Sequence, residues 1–176
     1  MTRRLVHLVS LVFVLLLAMS CSRGHENPKQ ADSNTAPLFV IEDISGKKVS
    51  LADYRGKVVI LEFFATWCEP CRLSAPELQS IYARYKDKGV AVIAIAADEG
   101  PDAMARVRSF VKEYRLSYDA AIDSGQVMKR YGAFTLPTTV VIDRDGKISS
   151  KHLGISGDYA KRLVSEISPL LKRQEK

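Results

Sequence analysis

Lys57-Val-Val-Ile-Leu-Glu-Phe-Phe-Ala-Thr-Trp-Cys-Glu-Pro-Cys-Arg72 is the stretch on which the reading of this chain turns. Residues 57–65 are β-rich and almost wholly apolar, the texture of a central strand buried on both faces. After Cys71 the apolar residues Leu78, Ile81, Tyr82 and Tyr85 recur at helical spacing, and Gly89 offers a stop. The pair Cys68 and Cys71, with Glu69 and Pro70 between them, therefore lies where a strand ends and a helix begins. The first turn of a helix offers unpaired N–H groups and the positive end of the helix dipole, which favour a thiolate. Two intervening residues let the sulfurs meet across one turn. On this placement Cys68 is the more exposed thiol, suited to attack a partner disulfide. Cys71, one turn in and more covered, is suited to resolve the mixed disulfide.

A single C-x-x-C has other readings. Half of a zinc site needs two further ligands, but no second cysteine pair exists, and the histidines are scattered at 7, 25 and 152. No metal and no cofactor is expected. An inert structural disulfide is the other reading, and the strand–motif–helix context favours redox activity over it.

Working outward, residues 38–51 hold two short apolar stretches around Ser45-Gly46, which predicts a hairpin. Residues 89–97 predict a second buried strand. Pro101 opens a helix with an expected stripe of Met104, Val107, Val111 and Tyr114. A short strand over 118–122 follows, then a helix of about two turns capped by Asp123 and ending near Gly132. Strands over 138–142 and 147–153 join at Asp145-Gly146, and an amphipathic helix carrying Tyr159, Leu163, Val164, Ile167 and Leu170 closes the chain. The order ββ-β-α-β-α-β-α-β-β-α predicts an α/β domain with a mixed central sheet flanked by helices.

The chain has 176 residues, 47% hydrophobic and 26% charged, with three cysteines at 21, 68 and 71. This composition excludes collagen-like and wholly disordered chains. Arg3 and Arg4, the apolar run 11–19 and the small residue Ser20 have the layout of a secretory signal. An uncleaved signal anchor is the alternative reading of the same segment. Residues 17–21 (Leu-Ala-Met-Ser-Cys) resemble a bacterial lipobox, which implies cleavage before Cys21 and lipid attachment to its sulfur. Ala18 stands where the pattern prefers leucine. The expected division is 1–20 signal peptide, 21–36 lipidated N-terminus and flexible tether, and 37–176 one domain. Loss of residues 1–20 removes two of the 26 basic residues, leaving 24 against 20 acids and lowering the charge from +6 to +4. The charges interleave with acids and form no basic stripe alternating with aromatics, so no nucleic-acid binding is expected. They license mild attraction to anionic surfaces.

F-F-A-T-W-C-E-P-C-R over 63–72, with Pro76 five residues after Cys71 and Thr135-Leu136-Pro137-Thr138-Thr139 downstream, resembles the thioredoxin fold. It is most similar to the membrane-anchored TlpA/ResA-like thiol–disulfide oxidoreductases, from about Leu38 to the C-terminus. The resemblance implies a thioredoxin-like fold with an N-terminal β-hairpin and a central insertion over about 100–122. It implies a cis bond before Pro137, which lies against the cysteine pair and leaves the backbone of Leu136 free to hydrogen-bond an extended partner. Trp67, Leu136 and Pro137 are the expected substrate-facing residues. Two positions depart from the pattern. Ser74 stands where ResA-like proteins commonly carry a glutamate. Glu62 occupies the strand position that is a buried acid in thioredoxins and often asparagine in TlpA-like proteins. Alternation puts Glu62 on the face opposite Leu61 and Phe63, beneath the cysteines, where it could exchange a proton with Cys71. The alternative is a solvent-facing or merely hydrogen-bonded glutamate.

The function implied is dithiol–disulfide exchange with protein substrates outside the cytoplasm, with a membrane-bound electron donor. Glu69 opposes a thiolate, Arg72 is expected to point away along the helix, and no histidine sits in the motif. All three favour a reductant over a strong oxidant. Reduction of apocytochrome c cysteines is one role in the family, and Ser74 departs from the pattern linked to it. A peroxiredoxin-like peroxidase would need a threonine three residues before the reactive cysteine and a matching proline, whereas Thr66 is two before Cys68. A Sco-like copper carrier would need three residues between the cysteines.

Overall fold

The computed structural model describes residues 34–172. The signal-like segment, Cys21 and residues 22–33 of the tether lie outside them. The strands are β1 (Val40–Glu42), β2 (Lys48–Ser50), β3 (Val58–Phe64), β4 (Val90–Ala96), β5 (Asp119–Ile122), β6 (Thr138–Ile142) and β7 (Ile148–Leu153). The helices are α1 (Glu69–Tyr85), α2 (Ala103–Glu113), α3 (Gln126–Arg130) and α4 (Tyr159–Lys172), in the order the sequence predicts. The main sheet runs β5-β4-β3-β6-β7, with β3 at its centre. β3 pairs parallel with β4 and antiparallel with β6, so the sheet is mixed.

Every residue of β3 is buried, which is why it reads as a continuous apolar run rather than an alternating one. Its two faces serve different layers. Val58, Ile60 and Phe64 pack under the helices with Leu78 and Ile81 of α1, Val107 and Phe110 of α2, and Leu163 and Ile167 of α4. Val59, Leu61 and Phe63 face the other way, toward Phe39, Val49 and Leu51 of the hairpin region and Val127 and Tyr131 around α3. The β1–β2 hairpin forms a separate two-stranded sheet. It is tied to β5 by the Ile44 N–H, which donates to the Ala120 carbonyl at 2.8 Å, and by the Lys47–Asp119 ion pair at 3.0 Å.

Two local expectations are corrected. In α2 the buried residues are Ala103, Val107 and Phe110, while Met104 is exposed. The seam thus runs i, i+4, i+7 from Ala103, one residue earlier than the stripe expected from Met104. Asp123 is not the N-cap of α3, a position taken by Gly125. Its carboxylate instead accepts from the Met128 backbone N–H at 2.9 Å, holding this five-residue helix from one turn further back.

Candidate active site

The end of β3 delivers the motif. Cys68 is the N-cap of α1, in extended conformation, and Pro70 occupies the first turn, where a missing N–H does no harm. The Cys68 sulfur accepts from the Cys71 backbone N–H at 3.3 Å, so the helix start itself supplies a donor to the sulfur. Cys68 and Cys71 are joined in a disulfide, with Cα atoms 5.2 Å apart. Cys68 is 6% exposed and Cys71 1%. The order of exposure is as expected, but Cys68 is more covered than an open thiol would be. It opens only into a groove.

That groove, about 740 Å³, is lined by Trp67, Cys68, Pro70, Met128, Phe134 and Leu136 among others. Its two rims are aromatic and left uncovered by the domain, Trp67 at 69% and Phe134 at 81% exposure. The Leu136–Pro137 peptide is cis. The β3–β6 ladder begins at Phe63 opposite Thr138, so Leu136 lies in the groove wall beyond the last paired residue. Sequence reasoning overlooked Phe134, although an apolar residue two places before Leu136 was the available signal.

Glu62 sits behind the cysteines, 3% exposed, which excludes the solvent-facing alternative. Three elements converge on it. Thr139, its register partner on β6, donates to one carboxylate oxygen at 2.6 Å. Tyr159, the first residue of α4, donates to the same oxygen at 3.1 Å. Ser74 of α1 lies 3.1 Å from the other oxygen and, with the same hydroxyl, 3.1 Å from the Cys71 carbonyl. A small cavity of about 10 Å³ is lined by Glu62, Cys71, Ser74 and Tyr118 among others. Burial raises the Glu62 pKa to about 7 from its ordinary 4.5, against the opposing pull of the hydrogen bonds from Thr139, Ser74 and Tyr159. A carboxyl so poised can hold or release a proton at neutral pH.

A second buried acid braces the motif from the side. Asp98, just after β4, accepts from the Thr66 N–H at 2.9 Å and from the Thr66 hydroxyl. Arg106 of α2 pairs with it at 3.3 Å and also donates to the Glu99 carbonyl at 2.8 Å. Arg72 does point away from the cysteines, as expected. It forms a 2.8 Å ion pair with Glu113 of α2 and stacks on the Tyr114 ring, 5.6 Å from its centroid. Helix α2 thus grips both flanks of the motif, a role that the sequence did not announce. His152 lies on β7, 2.9 Å from Glu166. Among the described residues no group of three or more His, Cys, Asp or Glu side chains could hold a metal ion.

The AhpC/TSA family model matches residues 33–151. ResA, a thiol–disulfide oxidoreductase of Bacillus thuringiensis subsp. konkukian, is 44% identical over 132 residues, covering 74% of this chain and 73% of that protein. ResA of Bacillus subtilis is 31% identical over 170 residues, 92% of each chain. Among solved structures, a Chlorobium tepidum protein described as a candidate thiol:disulfide interchange protein DsbE superposes with a TM-score of 0.73 at 34% identity. It covers 78% of this chain and 96% of its own. With the C-x-x-C disulfide at the strand–helix junction and the cis-proline groove beside it, these likenesses establish that the chain belongs to the ResA-like thiol–disulfide oxidoreductases of the AhpC/TSA, thioredoxin-like family.

Proposed function

We propose that Cys68 and Cys71 are the working pair and that they run in the reductive direction on protein substrates outside the cytoplasm. The Cys68 thiolate attacks a substrate disulfide sulfur, forming the mixed disulfide and releasing one substrate thiolate. Cys71 then attacks the Cys68 sulfur, releasing the second substrate thiolate and closing the Cys68–Cys71 disulfide. Two electrons pass to the substrate. Glu62 takes the proton that Cys71 gives up on attack. A membrane-bound dithiol donor restores the pair. Trp67, Leu136 and Pro137 hold the substrate segment in the groove, with Glu69 and Pro70 shaping the turn between the cysteines.

The observation that carries this reading is the placement of Cys68. It is the N-cap of α1, its sulfur accepts a backbone N–H, and it borders the groove while Cys71 does not. Apocytochrome c, with its paired cysteines, is the substrate that the family resemblance suggests. The N-terminal segment supports export and lipid attachment at Cys21, dividing the chain into signal 1–20, tether 21–36 and domain 37–176. Among the described residues no helix is long and apolar enough to cross a membrane, so anchorage in this reading falls to the N-terminus. The peroxidase reading lacks its threonine, since Ala65 stands three residues before Cys68.

Trapping with Cys71→Ser tests the reading. Mixed disulfides should accumulate on Cys68 and dissolve in dithiothreitol, and their partners should be cysteine-pair proteins of the envelope. Absence of adducts, together with absence of insulin reduction by the unmutated protein, would remove it.

A further inference from the structure

Six basic residues that are scattered along the sequence come together at one end of the domain. β3 and β4 start there, β6 ends there and α4 terminates there. Hydrogen bonds knit these ends together. The Gly56 N–H donates to the Arg144 carbonyl at 2.9 Å, the Val58 N–H to the Gly89 carbonyl at 2.9 Å, and an Arg144 guanidinium N–H to the Leu171 carbonyl at 3.2 Å. Arg55, Lys57, Lys86, Lys88 and Lys172 are exposed on this end, and Arg144 is half-buried among them. Asp53, Asp87, Asp143 and Asp145 offset four of these six charges. At the opposite end the loop after β4, beside the motif, carries Asp98, Glu99 and Asp102. The end where β3 starts is thus locally basic, whereas beside the motif Asp98 is paired with Arg106 and Arg72 with Glu113.

The chain also joins the domain at the basic end. The Ile148 N–H donates to the Asn34 carbonyl at 2.7 Å, and the Ala36 N–H to the Gly146 carbonyl at 3.0 Å. Thirteen residue steps separate Cys21 from Asn34 and reach at most about 45 Å when fully extended, so a surface that holds Cys21 lies within that distance of the basic end. Charge complementarity and the point of chain attachment select the same partner.

We propose that the Arg55–Lys57–Lys86–Lys88–Arg144 end docks on an anionic phospholipid bilayer, orienting the Cys68–Cys71 groove away from the membrane. This rests on the anchored reading of the N-terminus and adds an orientation to it. Seven strand residues at roughly 3.3 Å each put the motif about 25 Å above the docked end. Attraction of this kind falls off within a Debye length, about 8–10 Å at physiological salt, so docking is salt-sensitive.

Trp67 is the single tryptophan of the chain and stands at the motif, which makes it the reporter. The full chain is reconstituted in vesicles of phosphatidylcholine alone or with phosphatidylglycerol, each containing a dansylated headgroup lipid. Energy transfer from Trp67 should be weaker on phosphatidylglycerol at low salt and rise to the phosphatidylcholine level in 0.5 M salt, a concentration of order several times physiological. The triple variant K57E/K86E/K88E should remove the difference while keeping insulin reduction unchanged. Each charge removed should shift the docked fraction's equilibrium about five-fold at low salt. Equal transfer on both lipids at all salt concentrations, or stronger transfer on phosphatidylglycerol, would overturn the proposal without needing the variant. Saturable binding to polyglutamate with no lipid dependence would reassign the surface to an acidic protein and overturn the lipid assignment. Failure of the anchor reading looks different: the chain would leave both kinds of vesicle in high salt.

Discussion

Glu62 and Thr139 stand directly opposite each other on β3 and β6, and the Thr139 hydroxyl donates a 2.6 Å hydrogen bond to the Glu62 carboxylate. The second threonine of the Leu136-Pro137-Thr138-Thr139 segment thus ties the groove wall to the buried acid. Substrate-facing backbone and proton-holding group share one rigid ladder.

Glu62→Gln separates chemistry from stability by pH. The folded-state pKa of about 7 lies above the ordinary 4.5, so the folded state holds this proton more tightly than the unfolded one. Between these values the unfolded chain is ionised and the folded one is not, and stability falls as pH rises through the window. The whole shift corresponds to roughly 3 kcal/mol. Urea denaturation should find the variant close to the unmutated protein at pH 4 and more stable at pH 8. Single-turnover resolution of a Cys68 mixed disulfide should lose its inflection near pH 7 and slow about 100-fold above it.

Ser74→Ala tests a proton that has two claimants. The Ser74 hydroxyl has one hydrogen and lies 3.1 Å from both the Glu62 carboxylate and the Cys71 carbonyl. It donates to Glu62 when that group is ionised. When Glu62 is protonated, the serine can accept from it and donate to Cys71. Loss of a donor to the charged form is the larger effect, so the Glu62 titration should move alkaline in the variant. A pH profile of the resolution step, or a carboxyl infrared band, will read that shift. An unmoved midpoint would mean that Ser74 only fills space.

Asp98→Asn should weaken the domain by about 2 kcal/mol, because the buried carboxylate loses its charge-assisted hydrogen bonds from Thr66, while the half-exposed Arg106 is left to water. Since Asp98 holds Thr66, the neighbour of Trp67, the variant's tryptophan emission should shift even under fully native conditions. Stability loss without an emission change would show that the brace ends at Arg106.

Phe134→Ser should leave stability within about 0.5 kcal/mol, as expected for an exposed side chain away from the core. The KM for a protein disulfide should rise several-fold, while the rate with a small aromatic disulfide stays the same. An equal loss on both substrates would place Phe134 in the exchange chemistry and not in docking.

How legible all this was depends on sequence separation. The strand into Cys68, the helix after it and the side of β3 taken by Glu62 follow from short-range periodicity, because neighbours along the chain set them. The closing hairpin is readable for the same reason, since Asp145-Gly146 encodes its own turn. The bonds that make Glu62 distinctive come from residues 12, 77 and 97 positions away, and no local pattern carries them. Asp98 is a similar case: it reads as one more loop acid until the fold brings Thr66 and Arg106 to it. The seam of α2 was misplaced because Met104 and Phe110 are both apolar, and only the packing against Phe64, at 5.1 Å between rings, shows which one turns inward.

The grip of α2 on the motif has an evolutionary consequence. Arg106 neutralises Asp98 and Glu113 neutralises Arg72, so the two flanks of the cysteine pair each depend on a charge housed in the inserted segment. A descendant that deletes the insertion inherits a buried carboxylate without its cation beside the reactive bond. A relative that lacks the insertion should therefore carry an uncharged residue at position 98, whereas the exposed position 72 is free to stay basic.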